Sequence, residues 1–310
     1  MRSVLRMTKI VRRAWFAAAI VLVLGGIVYL RPLTVFGIVR RGWIFAHGFR
    51  GRETRVGFGG ATWRIHYYTG GDGPPIVLIH GLASRGDDWA PLLPKLATHH
   101  RIYALDLLGY GSSDRPRDVD YSIALETDVV RDFLDSLQIR RTDLVGVSMG
   151  GWIALKLAAE HPERVRKLVL IDSAGFNFPT TLTADSFTPA STEELQKLID
   201  LQTNRAPHIP AFVARDFLRV NREHAWILKS QFTSMLSRRD LMDGRVSRVT
   251  MPTLLLWGTR DLLTPYSLGV RMQHELPNAR LVPLEGCGHL AIVDCQAQAW
   301  PAIERFLRKP

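Results

Sequence analysis

The sequence predicts an α/β fold with a mostly parallel central sheet, helices on both of its faces, an inserted helical cap and an N-terminal transmembrane helix. Three observations support this prediction. Short apolar runs alternate with helix-like segments along most of the chain, the alternation stops once between residues 175 and 250, and an uncharged run lies near the N-terminus. A chain of 310 residues, 46% of them hydrophobic and 22% charged, can bury a large core.

The uncharged run covers residues 14–30 and is 17 residues long. A helix of that length reaches roughly 25 Å, the short end of a bilayer-spanning stretch. Trp15 and Tyr29 lie near its two ends, where amphipathic rings favour the membrane interface. A cleavable signal peptide is the alternative, but an arginine and a proline follow where small residues should mark a cleavage site. We therefore expect residues 1–50 to form an uncleaved anchor and a juxtamembrane segment that lies against the membrane surface.

The positive charge of the chain belongs to this N-terminal segment. Residues 1–50 contain nine Lys and Arg and no Asp or Glu, so only +2 of the net charge of +11 remains for the rest. A nearly neutral globular part argues against a nucleic-acid partner. Five basic residues precede the apolar run and fewer follow it closely, which favours a cytoplasmic N-terminus and a globular part on the extracytoplasmic, in a bacterium periplasmic, side.

From residue 51 the pattern becomes that of a sheet. Alternating segments at 55–58 and 63–68 on either side of a glycine pair predict a hairpin. Further strands are predicted at 76–79, 101–105, 143–147, 167–171, 253–257 and 280–284, and helices around 87–98, 123–137, 149–160, 265–276 and 296–307. Because strands alternate with helices, these units form a parallel sheet with right-handed crossovers. The predicted core therefore consists of residues 51–174 and 251–310.

Residues 175–250 interrupt the alternation and predict the helical cap. They contain polar turn material at 177–192 and helix-like stretches at 193–201, 210–220 and 225–236, without an apolar strand run. The cap carries five large apolar side chains: Phe212, Phe217, Trp226, Phe232 and Met235. The sequence leaves open whether these cover a hydrophobic site or only hold the cap together.

A predicted strand passes directly into a predicted helix at residues 144–151, and Ser148 stands at the junction. Such a turn brings its flanks so close that a Cβ at Gly146 or Gly150 would clash, and it exposes the serine hydroxyl on a strained backbone. A serine placed in this way can attack a carbonyl carbon, and the N–H of Met149 would face the developing oxyanion.

Serine attack requires a base, and the base requires a carboxylate that orients it. Downstream of Ser148, Asp261 follows one predicted strand and His289 follows the next. The carboxyl ends of parallel strands lie at one edge of a sheet, so the three side chains can converge. His289 would take the serine proton and return it to the leaving group, while Asp261 would hold the imidazole tautomer. Asp172, at the end of the preceding strand, competes for the role of the acid.

These motifs resemble the α/β-hydrolase fold family over about residues 60–309. The resemblance rests on G-V-S-M-G at 146–150, H-G-L at 80–82, D-L-L-G-Y-G-S at 106–112 and W-G-T-R-D with G-C-G-H at 257–261 and 286–289. It implies that the Leu82 N–H is the second oxyanion donor and that His80 is structural. It also favours Asp261 over Asp172, which would then anchor the loop and the cap.

The resemblance implies a substrate class as well as a fold. A membrane helix combined with a cap and these motifs is similar to membrane-anchored monoacylglycerol lipases and to bacterial lipases and esterases. This implies hydrolysis of lipid-derived or medium-chain carboxylic esters through an acyl-enzyme on Ser148. The Ser-Met-Gly-Gly stretch also resembles C–C bond hydrolases, so C–C cleavage or cofactor-free perhydrolysis with the same triad is the alternative. A non-catalytic binding protein on the hydrolase fold is the third hypothesis.

Signals for other kinds of site are missing from the sequence. It contains no P-loop, dinucleotide fingerprint or zinc motif, and we therefore expect no cofactor and no metal ion. The two cysteines, Cys287 and Cys295, are too few for a disulfide framework, and the sequence leaves a single bridge between them open.

Overall fold

The computed structural model describes residues 15, 22–23, 25–58, 60–204 and 206–308. The strands are β1 (Arg50–Phe58), β2 (Ala61–Gly70), β3 (Pro75–Ile79), β4 (Arg101–Leu105), β5 (Thr142–Val147), β6 (Val165–Ile171), β7 (Thr253–Gly258) and β8 (Ala279–Leu284). The helices are α1 (Pro32–Ala46), α2 (Leu93–Leu96), α3 (Ile123–Ser136), α4 (Met149–Glu160), α5 (Thr192–Gln202), α6 (Ala211–Leu236), α7 (Tyr266–Glu275), α8 (Ala291–Asp294) and α9 (Gln296–Arg308). Short 3₁₀ turns lie at Gly86–Trp89, Pro162–Arg164 and Ala184–Phe187.

The strands form an eight-stranded sheet in the order β1-β2-β4-β3-β5-β6-β7-β8. The β1–β2 hairpin is antiparallel, β2 pairs antiparallel with β4, and all remaining pairs are parallel. The prediction of a mostly parallel sheet is therefore confirmed. The hairpin extends further than predicted, since Arg50 pairs with Thr69 and polar residues continue the ladder beyond the alternating segments.

The sheet is covered on both faces, which explains why its inner strands are continuously apolar. Along β3, Val77 and Ile79 pack with side chains of α3 and α4, whereas Ile76 and Leu78 pack with α2 and α9 on the other face. All four side chains are fully buried. Successive side chains of a strand point to opposite faces, so a strand buried on both sides reads as an uninterrupted apolar run.

Two helix predictions are wrong in their details. The predicted helix around 87–98 is a 3₁₀ turn followed by the short α2, because Pro91 and Pro94 remove backbone donors and restrict the residues before them. In the cap, the helices predicted at 210–220 and 225–236 are one helix, α6, since neither proline nor glycine lies between them. Between β6 and β7 the described residues form helices and turns and no strand.

Helix α1 packs against the protein and does not stand apart from it. Arg40 forms ion pairs with Asp87 and Asp88 at the 3₁₀ turn that follows β3. At the start of α1, the Leu33 N–H donates to Asp216 Oδ2 of α6 over 3.0 Å. The predicted juxtamembrane segment thus contacts both the core and the cap helix.

Of the 17 residues of the predicted transmembrane helix at 14–30, eight lie outside the described residues. Of that stretch, residues 15, 22–23 and 25–30 are described, and all are helical. In the part of the chain that the structure describes, no helix combines the length and the apolar character needed to cross a bilayer. The anchor over residues 1–50 and the cap boundaries at 175 and 250 stay predictions.

Candidate active site

Ser148 lies at the sharp turn between β5 and α4, as the sequence predicts. Its φ of 54° is in the left-handed region, and its N–H donates to Ile171 O of the neighbouring strand over 2.9 Å. A Cβ built at Gly146 would lie 2.3 Å from Gly150 O, and one built at Gly150 would lie 2.3 Å from Ile79 O. Both glycines are therefore required by close backbone approach, and the turn leaves Ser148 partly exposed.

Asp261 and His289 form a buried pair beyond the ends of β7 and β8. His289 Nδ1 lies 2.8 Å from Asp261 Oδ2, and each residue is only 5% exposed. The N–H groups of Leu263 and Thr264 donate to Asp261 Oδ1 over 2.8 and 2.9 Å, and the Thr264 hydroxyl donates to Oδ2 over 2.7 Å. These donors fix the carboxylate, which in turn favours the Nδ1–H tautomer of His289 and leaves Nε2 able to accept a proton.

The structure brings Asp261 to His289 but does not join His289 to Ser148 by a hydrogen bond. The Ser148 hydroxyl forms no hydrogen bond with any of the described residues. Backbone and side-chain contacts still link the two parts of the site, since Ala174 N–H donates to Ser148 O over 3.1 Å and the Thr264 hydroxyl oxygen lies 3.0 Å from Asp172 O. Catalytic hydrogen bonds often tighten only when substrate is bound.

The two predicted oxyanion donors lie on segments that meet beside Ser148. Met149 begins α4, and Leu82 follows β3 in the loop of residues 80–84, which we call the oxyanion loop. A Cβ built at Gly81 would lie 3.3 Å from the Ser148 Cβ, so this loop passes directly next to the serine. Within the described ranges, neither the Leu82 nor the Met149 N–H donates to a protein acceptor. Two free backbone donors beside a serine are the elements of an oxyanion hole.

His80 is engaged on both ring nitrogens. Its Nδ1 lies 2.8 Å from Gly81 O, and its Nε2 accepts from the Leu107 N–H over 3.1 Å. Burial lowers the pKa of the His80 ring, which keeps it neutral. This arrangement agrees with the predicted structural role, because neither nitrogen is available as a second base.

Asp172 is fully buried and bonded where β7 ends. Its Oδ1 accepts from the Gly258 N–H over 2.7 Å, at the start of the loop that carries Asp261, which agrees with the predicted anchoring of the loop. Among the described residues, no hydrogen bond joins the Asp172 side chain to the cap. Burial and the nearby charge of Asp261 raise the pKa of Asp172, which favours its neutral form. The carboxylate in contact with His289 is that of Asp261.

Sequence reasoning missed a buried polar cluster that joins the core to the cap. Glu126 of α3 accepts from the Leu108 N–H over 3.3 Å and from Gln231 Nε2 of α6 over 3.4 Å. The Tyr110 hydroxyl donates to Gln231 Oε1, and the Tyr110 ring lies 5.0 Å from the ring of His80. Burial raises the pKa of Glu126 to about 8. No local pattern reveals this cluster, because its members are distant in the sequence.

We expect the substitution Glu126→Gln to remove a pH dependence of stability. Between the ordinary pKa of 4.5 and the folded value of about 8, the folded protein holds a proton that the unfolded chain has lost. The free energy of unfolding of the wild type therefore falls as the pH rises, by up to about 1.4 kcal/mol per pH unit. In urea titrations, the free energy of unfolding of the variant minus that of the wild type should increase from pH 5 to pH 8. A difference that does not change with pH would contradict a protonated Glu126.

The structure also contains a disulfide bridge between Cys287 and Cys295, with their Cα atoms 6.1 Å apart. This is the pairing that the sequence left open. The bridge closes the loop that carries His289 between β8 and α8.

Comparison with known proteins places these features among hydrolases. Residues 74–246 match the family described as alpha/beta hydrolase fold, and residues 233–310 match one described as TAP-like protein. The chain is 33% identical to 2-hydroxymuconate semialdehyde hydrolase of Pseudomonas sp. (strain CF600) over 79% of this chain and 90% of that protein. It is 31% identical to pimeloyl-[acyl-carrier protein] methyl ester esterase of Nitrosomonas europaea over 73% of this chain and 92% of that protein. A crystal structure of a membrane phospholipase A, a bacterial virulence factor, is 28% identical with a TM-score of 0.81, and the match covers 96% of this chain and 97% of that one.

Proposed function

Because the chain belongs to the α/β-hydrolase fold family, we propose that it is a serine hydrolase that cleaves carboxylic esters through an acyl-enzyme on Ser148. The observation that carries the proposal is the buried Asp261–His289 pair, 2.8 Å apart, at the sheet edge from which Ser148 emerges. Backbone glycines that no side chain could replace hold Ser148 in a strained turn. An acid, an imidazole and an exposed serine in the family's chain order support nucleophilic catalysis.

The reaction would proceed in two halves. As the Ser148 Oγ attacks the ester carbonyl, His289 Nε2 takes its proton, and the N–H groups of Met149 and Leu82 stabilise the oxyanion. Asp261 stabilises the imidazolium that forms. The tetrahedral intermediate then expels the alcohol, which receives the proton from His289. In the second half, water attacks the acyl-enzyme with His289 again as the base, and the carboxylic acid leaves.

Contacts between the cap and the loops of the site support an apolar acyl chain as the substrate. Phe187 and Phe232 of the cap form a buried cluster with Leu263, two residues beyond Asp261. Leu82 of the oxyanion loop and Met235 of α6 pack against the same cluster. Apolar cap side chains thus lie against the two loops that supply the acid and an oxyanion donor. This arrangement favours lipid-derived esters, such as monoacylglycerols or medium-chain acyl esters.

Membrane attachment through residues 1–50, with the hydrolase domain on the extracytoplasmic side, is part of the proposal. Helix α1 exposes large apolar side chains to solvent, among them Phe36, Val39 and Phe45 at 57, 64 and 62%. Exposed apolar surface of this kind fits a lipid interface. The Cys287–Cys295 bridge supports an oxidising compartment, since disulfides rarely persist in the cytosol. The resemblance to a membrane phospholipase A over nearly the full chain points the same way.

C–C bond hydrolysis by the same triad is the second candidate, because the chain is 33% identical to 2-hydroxymuconate semialdehyde hydrolase. A substrate panel separates the two functions. We expect turnover of nitrophenyl acyl esters, with the highest kcat/KM for medium acyl chains, and of monoacylglycerols. Exclusive turnover of 2-hydroxy-6-oxo-dienoates would favour C–C cleavage. A protein that turns over neither class and resists fluorophosphonate labelling at Ser148 would be a non-catalytic binding protein.

A further inference from the structure

The loop that carries His289 is closed by the disulfide bridge. Cys287 lies two residues before His289, and Cys295 lies at the end of α8, where α9 begins. Cys287 is fully buried, and Cys295 is half-buried and packs against the same apolar cluster. The bridge therefore fixes both ends of the segment that holds the proposed catalytic base.

Part of this loop contacts the cap. The Leu290 N–H donates to Gln202 O over 2.9 Å, and Asn204 Nδ2 donates to Gly286 O over 2.6 Å. Gly288 is so close to the same cap segment that a Cβ there would lie 2.9 Å from Gln202 O. These contacts depend on where the end of α5 lies.

The loop also contacts the core: the Gly286 N–H donates to Thr259 Oγ1 over 2.9 Å, and His289 Nδ1 lies 2.8 Å from Asp261 Oδ2. The Arg260 N–H donates to Cys287 O over 2.9 Å, and the Cys287 N–H donates weakly to Leu284 O over 3.3 Å. Both hold the beginning of the loop. Beyond His289 the chain continues directly into α8, and the bridge adds a second covalent connection, from Cys287 before His289 to Cys295 after α8. It therefore constrains the segment that carries His289 independently of the contacts with the cap.

We propose that the Cys287–Cys295 bridge positions His289, so that full catalytic activity requires the oxidised protein. This inference rests on the proposed function of Ser148 and His289. The catalytic base must be held close to its productive position, because a displacement of about 1 Å lowers the rate about 100-fold. Releasing the bridge removes the constraint between Cys287 and Cys295 on either side of His289, while Asp261 stays fixed by its own loop. The ring then samples positions from which its Nε2 does not reach the serine.

A dithiol would release the bridge in a balanced exchange. Its first thiolate attacks the half-buried Cys295 sulfur, the S–S bond breaks, and Cys287 leaves as a thiolate that takes up a proton. The second thiol of the reagent then displaces Cys295 and becomes part of a cyclic disulfide. Two electrons and two protons pass from the dithiol to the protein.

The test uses the full chain and measures kcat and KM on a soluble nitrophenyl ester with and without dithiothreitol. The double variant Cys287→Ala/Cys295→Ala is the matched control. We expect reduction to lower the wild-type kcat about 10- to 100-fold with KM within twofold, and reoxidation to restore it. The double variant should have the same low kcat and show no response to the dithiol. Intact mass and thermal unfolding establish that the reduced protein has two free thiols and remains folded.

Two outcomes would overturn the proposal. One is a reduced, folded wild type whose kcat stays within twofold of the oxidised protein. The other is a double variant with wild-type kcat. If the double variant does not fold, the reduced wild type decides. Should the oxidised protein hydrolyse no ester, the proposed function fails, and an NMR titration of the His289 ring still tests the bridge. A His289 pKa that differs between the oxidised and reduced proteins would support positioning, and an identical one would refute it.

Discussion

Replacing Ser148 by alanine is expected to lower kcat on a soluble nitrophenyl ester by roughly 10⁴-fold or more, with KM within a few fold. The hydroxyl is the atom that forms the acyl-enzyme, so its loss removes the chemical step and leaves binding intact. His289→Gln should lower kcat by a similar factor, because an unassisted serine is a weak nucleophile. The double variant should be no slower than either single variant, since residues that act as a unit are not additive.

The two buried carboxyl groups provide a matched control for this prediction. Asp261→Asn should reduce kcat by about 10⁴-fold, because an amide beside His289 Nδ1 stabilises the wrong tautomer. Asp172→Asn keeps an acceptor for the Gly258 N–H and replaces an acid whose raised pKa favours its neutral form, so its kcat should remain within about tenfold of the wild type. Equal losses in both variants would mean that Asp261 is not the orienting acid.

The second large effect concerns the fold of the nucleophile turn. Gly150→Ala is expected to lower the free energy of unfolding by about 4 kcal/mol or more, or to prevent folding. The new Cβ would lie 2.3 Å from Ile79 O and 2.4 Å from His80 O, and backbone at the end of a buried strand cannot move away cheaply. Urea denaturation followed by tryptophan fluorescence measures the change.

A glycine without near neighbours serves as the control for this substitution. Gly42 lies within α1 and has no atom within 4 Å of a built Cβ. Gly42→Ala should therefore leave stability unchanged or raise it slightly, by up to about 1 kcal/mol, because alanine favours helix. A Gly150→Ala protein as stable as the Gly42→Ala protein would contradict the steric account of the turn.

Local patterns predicted the parts of this molecule that depend on neighbours in sequence. The inner strands were found because burial on both faces makes them uninterrupted apolar runs, as at residues 76–79. The turn at Ser148 was found because only glycines fit on either side of it. The chain order of the family that the sequence resembles indicates Asp261 and His289, and the strand ends that they follow place both at one edge of a parallel sheet. The choice of Asp261 over Asp172 also rests on that resemblance.

What the sequence did not reveal depends on contacts between distant segments. The Thr264 hydroxyl that supports Asp261 is an ordinary loop threonine until the loop is folded. Glu126 and Gln231 meet across the boundary between core and cap, 105 residues apart. The cysteine pair is spaced across a turn and a short helix, and spacing alone does not fix the distance between their Cα atoms. Tertiary packing, which no local propensity reports, decides each of these.

The central claim is that Ser148, His289 and Asp261 act as one catalytic unit, and fluorophosphonate labelling followed by peptide mass spectrometry tests it most directly. We predict that the wild type is phosphonylated at Ser148. The His289→Gln and Asp261→Asn variants should be labelled at least about 100-fold more slowly, because the first lacks the base and the second lacks the carboxylate that orients the base. Labelling of another residue, or equal labelling rates in the wild type and the His289→Gln variant, would contradict the account.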